Sequence, residues 1–162
     1  MTIPRARTIL ILLTFALWGS SCTDGRFFEQ NRGIENGSWA AHNNVSFSVV
    51  IEDTAASYDF YLNLRNDVNY PYSNLFLFLK TTFPDQRVAR DTIECILAGY
   101  DGKWLGSGMG SVRFNRFLFQ KGVRFGKAGT YSFDLEQAMR IDPLIGIRDV
   151  GLRIEKEDGR GR

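Results

Sequence analysis

At 162 residues the chain has the length of one domain. A composition 44% hydrophobic and 23% charged excludes both an intrinsically disordered chain and a polytopic membrane protein. Thirteen Phe, six Tyr and 16 Gly against four Pro favour strands joined by many turns, while one His and two Cys leave little material for a metal site or a catalytic triad.

The chain opens with Arg5 and Arg7, carries no acid before Asp24, and runs apolar from Thr8 to Trp18. That run falls well short of the roughly 20 residues a spanning helix needs, so it has the length of a signal-peptide core. Gly19, Ser20 and Ser21 then precede Cys22. Small residues before a cysteine resemble a bacterial lipobox, although Gly19 stands three places ahead where Leu is usual. The reading is a signal peptide over 1–21, acylation of Cys22, and a lipidated tether over 22–29; plain secretion with an unmodified Cys22 is the alternative. Two or more acyl chains anchor a protein stably where one is marginal.

Of the 20 Lys and Arg residues, Arg5 and Arg7 fall in the signal segment, leaving 18 to set against 18 Asp and Glu. A balanced domain is not built as a sink for nucleic acid, which needs a clustered positive footprint. The one local basic run, Arg113, Arg116, Lys121, Arg124 and Lys127, is interleaved with Phe114, Phe117, Phe119 and Phe125. It reads as a strand with cations outward and phenyl rings inward.

Period-two alternation recurs from Val45 onward. Val45, Phe47, Val49 and Ile51 share one strand face, as do Tyr58, Phe60, Leu62 and Leu64. Leu75 to Leu79 is apolar on both faces and predicts a central strand covered on each side. Pro84-Asp85-Gln86 closes a hairpin into a strand over Val88 to Leu97, where Cys95 reads as a buried, unreactive thiol. Phe114 to Phe125 holds one or two strands, Tyr131, Phe133 and Leu135 mark another, and Val150 to Ile154 is the last. Glu136 to Arg140 is the one helical candidate, stopped by Asp142-Pro143. The prediction is an all-β fold: an antiparallel β-sandwich of six to eight strands with at most one short helix, occupying 30–156, with 157–162 a flexible tail. A domain of this size buries about 68% of its unfolded surface and needs neither disulfide nor metal.

Several strings are too particular to follow from composition: Tyr58-Asp59-Phe60-Tyr61-Leu62-Asn63-Leu64-Arg65-Asn66, Asn69-Tyr70-Pro71-Tyr72-Ser73-Asn74, Asp101-Gly102-Lys103-Trp104-Leu105-Gly106-Ser107-Gly108, Gly129 to Arg140, and Gly146 to Lys156. In this order behind a lipobox, they resemble the gliding-motility lipoprotein family GldH of the Bacteroidetes, from about Phe27 to Lys156. The resemblance implies a lipoprotein of the cell envelope, at the outer membrane and facing the periplasm. It would act with other gliding-motility lipoproteins and envelope proteins, and no reaction is implied. The expected role is a non-enzymatic scaffold without a cofactor, with no nucleic-acid partner; the alternative is a carbohydrate-binding β-sandwich module.

Trp104, in a glycine-rich connection, reads either as a grip for a partner or as a cap on the core; a P-loop is excluded because no Gly-Lys-Ser/Thr follows. Tyr70 and Tyr72 read either as packing or as a platform for sugar stacking. Asp53, Asp59 and Asp67 lack calcium-loop spacing and read as solvated turns. His42, the sole histidine, lies in a polar stretch with no nucleophile elbow anywhere, and Asp134 with Glu136 is the only carboxylate pair placed for glycoside chemistry. Asp53-Thr54-Ala55 and Asp91-Thr92-Ile93 match the triplet that this bacterial group O-glycosylates, with Thr54 in an expected turn.

Overall fold

The computed structural model describes residues 25–157, so the signal segment, Cys22 and residues 158–162 lie outside the described residues. The chain runs β1 (Arg26–Gly33), β2 (Ser38–Trp39), β3 (Val45–Ile51), β4 (Tyr58–Asp67), β5 (Asn74–Thr82), β6 (Val88–Ile96), β7 (Val112–Val123), β8 (Gly129–Gln137), β9 (Leu144–Ile145) and β10 (Ile147–Lys156). A first sheet has the order β1-β10-β4-β7 and a second β3-β8-β5-β6, while β2 and β9 form a short ribbon. Every pairing is antiparallel, and the architecture is the expected β-sandwich.

Alternation builds the interior. Strand β3 points Val45, Phe47, Val49 and Ile51 inward and Ser46 and Ser48 outward. Opposite them, Phe60, Leu62 and Leu64 of β4 and Val150, Leu152 and Ile154 of β10 supply the other wall. Aromatic rings fill the space between the sheets: Phe60 meets Phe119, Phe125 and Phe133 at centroid distances of 6.0, 5.9 and 5.6 Å, and Phe125 meets Tyr131 at 4.6 Å. Such contacts add to the area that each ring removes from water.

Two expectations change. Strand β5 is central in its sheet, but only Leu75, Leu77 and Leu79 are covered; Phe76 is half-buried and Phe78 is 46% exposed, because no layer lies over that outer face. Glu136 to Arg140 is not a helix. Glu136 and Gln137 finish β8, Ala138 N–H donates to the Phe76 carbonyl, and the Gln137 amide holds the turn that follows. It accepts from Met139 N–H at 2.8 Å and donates to the Ile141 carbonyl at 3.0 Å, spending the local bonds that a helix would need. Of the stretch 22–29 expected as a tether, Arg26, Phe28 and Glu29 pair with β10, while 22–24 lie outside the described residues.

The register sets two distinct ends. Arg26 faces Glu155, Lys156 faces Tyr58, and Tyr58 faces Val123, so the first described residues share one end with the connections 52–57, 83–87 and 124–128. At the hairpin on that end Asp85 accepts from Arg87 Nε and Lys127 Nζ, each at 3.0 Å, which clamps two connections together. The connections 34–44, 68–73, 97–111 and 138–146 gather at the opposite end.

Candidate functional site

The residues singled out from sequence fall mostly at that opposite end. Trp104 is half-buried against the core and bridges Ala98, which favours its reading as a cap. Its connection is ordered by backbone bonds, Gly99 N–H to the Lys103 carbonyl and Leu105 N–H to the Leu97 carbonyl, both at 2.9 Å. The large apolar side chains it exposes are Tyr100, Leu105 and Met109.

Tyr70 is only 3% exposed, and its hydroxyl donates to the Asn74 carbonyl at 3.0 Å. Burial holds this phenol well above its usual value. A Cβ at Gly146 would come within 3.3 Å of the Tyr70 Cα and ring, so the glycine is what lets the β9–β10 connection lie against it. Tyr72 touches Tyr70 edge-on at 5.5 Å and is half-buried. The pair packs ring against ring, with Tyr70 buried and Tyr72 partly exposed.

Thr54 is exposed in the bend between β3 and β4, where Asp53 accepts from Ala55 and Ala56 N–H groups and from Lys156 Nζ. Thr92 is exposed on β6. His42 is exposed in the turn before β3. Asp134 and Glu136 do share the outer face of β8, but Asp134 is already engaged by Ser46 Oγ at 2.6 Å and Lys80 Nζ at 3.5 Å. Cys95 is free and buried, its thiol pushed up to about 12 by burial and, secondarily, by the Glu94 charge. Cys22 lies outside the described residues.

A polar lattice on the outer face of the first sheet escaped the sequence reading. Glu29 on β1 accepts from Asn63 Nδ2 at 2.8 Å, Arg153 Nη1 at 2.7 Å and Arg116 Nη2 at 3.1 Å, so one carboxylate joins all four strands. Arg153 also donates to Glu155 at 2.6 Å, Arg116 Nε donates to Asn63 Oδ1 at 2.9 Å, and Arg65 pairs with Asp149. Burial pushes the Glu29 carboxyl up, but the bonds from Asn63, Arg153 and Arg26 outweigh it and hold the group below the usual carboxylate range. Asn63 and Arg153 are buried although they point away from the core, because the lattice covers itself. Its members bond to one another and tie the four strands of the sheet together. It fixes β1, the first strand of the domain, onto the rest of its sheet. One signal was legible: Asp149, Gly151, Arg153 and Glu155 fall at period two on the last strand.

Among the described residues no helix is long and apolar enough to cross a membrane, and no group of three or more His, Cys, Asp or Glu is arranged to hold a metal. The Tobacco streak virus coat protein aligns with 88% of this chain and 93% of its own at 10% identity, but a TM-score of 0.27 carries no argument. The sequence comparisons are closer. A protein of Christiangramia forsetii described as a gliding motility lipoprotein GldH homolog is 35% identical over 160 residues, covering 94% of this chain and 98% of the relative. The gliding motility lipoprotein GldH of Flavobacterium johnsoniae is 32% identical over 161 residues, covering 95% and 99%. The model of the GldH lipoprotein family matches residues 26–154, from the start of β1 to Ile154, two residues short of the end of β10, and the chain belongs to that family.

Proposed function

We propose that the chain is a lipid-anchored, non-enzymatic component of the gliding-motility machinery, acylated at Cys22 and facing the periplasm from the outer membrane. The observation that carries this reading is family membership across the whole folded domain. The position of β1 supports it. Cys22 stands three residues before Gly25, a reach of at most about 10 Å of extended chain. An anchor at Cys22 therefore holds the 52–57, 83–87 and 124–128 end close to the membrane surface and turns the opposite end outward.

In this reading the domain works by position. Confinement to a surface raises its effective concentration toward other motility lipoproteins and envelope proteins tethered there. The Glu29 lattice transmits the constraint from the first strand into the sheet, so the outward end is held by a rigid body and not by a frayed strand. Nucleic acid is not a partner, given the balance of charge once the signal segment is removed.

The test is complementation. A Flavobacterium johnsoniae strain lacking its GldH relative receives this chain or its Cys22→Ala variant, and colony spreading is scored with membrane fractionation. Spreading returns with the unaltered chain, which co-purifies with motility lipoproteins; the variant accumulates in the aqueous fraction and restores nothing. Full spreading from an unanchored Cys22→Ala protein overturns the proposal.

A further inference from the structure

Two clefts meet at one residue. The first, about 660 Å³, opens between the edges of β1 and β3 beside Arg32, Glu35, Asn36 and Asn44. The second, about 310 Å³, lies on the uncovered outer face of the second sheet among Phe78, Arg90, Thr92, Glu136 and again Asn44. Asn44 borders both, so the two clefts adjoin there and make a groove in two parts, one at the sheet edge and one on the outer face of the second sheet. Strand register places Phe78 directly between Glu136 on β8 and Thr92 on β6. The ring floor is thus flanked by a carboxylate and a hydroxyl.

The chemistry of the wall narrows the occupant. Among the described residues the side chains of Arg32, Asn36, Asn44, Arg90, Thr92 and Glu136 have no protein partner, so donors and acceptors stand side by side with open valences. The two clefts together present the cations Arg32, Lys80 and Arg90 against the acids Glu35, Asp91, Asp134 and Glu136, which offers no footprint to a polyanion. An extended peptide needs apolar pockets at alternate positions, and Phe78 is the one large apolar side chain exposed in the groove. A hydroxyl both donates and accepts, and a pyranose ring turns a face of C–H groups toward the negative face of an aromatic ring.

We infer that this groove is a binding site for a neutral, polyhydroxylated chain, a glycan strand of several pyranose units, with Phe78 as its stacking floor and Asn44 at its midpoint. The site is separate from Trp104, Tyr70 and Tyr72 and does not depend on the anchor at Cys22. Its size agrees with small-ligand sites, and its open ends suit a polymer over a single sugar.

The test titrates the detergent-solubilised full chain with a glucose hexamer and an N-acetylglucosamine hexamer by calorimetry. At least one gives saturable binding, Phe78→Ala and Asn44→Ala each weaken it tenfold or more, and Phe78→Tyr retains it. Tyr72→Ala, in a separate cleft against the 138–146 connection, leaves it unchanged. Unaltered thermal midpoints in Phe78→Ala and Asn44→Ala show that the fold is kept, as expected for exposed side chains. The inference is overturned if neither hexamer binds at millimolar concentration, if binding survives the Phe78→Ala/Asn44→Ala pair, or if an extended peptide of similar length binds more tightly than both.

Discussion

Gly151 sits in the middle of β10, and its replacement by alanine tests how tightly the first strand is seated. A Cβ there would lie 1.9 Å from Asn31 Oδ1 and 2.7 Å from the Gln30 carbonyl oxygen. The Asn31 amide can rotate away, since it is the tip of an exposed side chain. The Gln30 oxygen cannot, because it belongs to the β1 backbone that pairs with β10 through Gln30–Leu152 and Asn31–Gly151. The strands must part by several tenths of an ångström, an overpacking cost of about 1–3 kcal/mol. For a domain of this size that lowers the thermal midpoint by roughly 2–10 °C. The assay is thermal unfolding by circular dichroism, with Gly33→Ala as control, because a Cβ at Gly33 meets nothing within 4 Å. Adding Asn31→Ala recovers only part of the loss, as the backbone contact remains. Equal midpoints for Gly151→Ala and Gly33→Ala would refute the argument, and with it the claim that β1 is locked against β10.

Other expectations follow from single groups. Phe60→Ala empties the space among Phe119, Phe125 and Phe133 and lowers stability by about 3–5 kcal/mol, measured by urea denaturation. Asp85 is held down to about 2, first by the Lys127 bond and then by Arg87. Its folded value lies below its unfolded one, so its stabilisation is complete above about pH 4 and is lost as pH falls toward 2; an Asp85→Asn variant shows a shallower loss in that window. In the native protein no thiol reacts rapidly with a disulfide reagent at pH 8, and denaturation releases one, Cys95, if Cys22 is held as a thioether. A fast thiol before denaturation would mean that Cys22 is bare. For Thr54 the expectation is a glycan-sized addition in the intact mass of the native protein that disappears in Thr54→Ala and persists in Thr92→Ala; a mass equal to lipid plus polypeptide refutes it.

The strands that alternate cleanly could be read from the chain alone. Val45–Ile51 starts and stops where the pattern does, and the hairpin at Pro84-Asp85-Gln86 closes as its residues require, with Phe83 N–H donating to the Arg87 carbonyl. Strand β1 could not be read. Its apolar residues Phe27 and Phe28 are adjacent, and the irregular pairing between Arg26 and Phe28 breaks the period of two. The β2–β9 ribbon is two residues on each side, below any periodic signal. Glu136 to Arg140 misled because helix propensity is a weak local preference, and the Gln137 amide satisfied the same backbone groups in another way.

The surfaces were harder to read than the core for a physical reason. A core position announces itself along one strand, whereas a site on a sheet face depends on which residue of a neighbouring strand lands beside it. Phe78, Glu136 and Thr92 are far apart in the chain and meet only because β5 pairs with β8 and β6 in one register. A slip of one residue would turn Phe78 inward and Leu77 and Leu79 out, so the pressure to bury those leucines also presents the phenyl ring. The same holds for Glu29, whose partners Asn63, Arg116 and Arg153 come from three other strands. Tyr70 shows the converse: a sequence rich in exposed-looking aromatics yielded a buried ring, because Gly146 left room for it. In this domain the hydrophobic pattern chooses the register, and the register decides which polar and aromatic groups stand together on each outer face, so that whatever the faces bind is specified by residues that never touch the ligand.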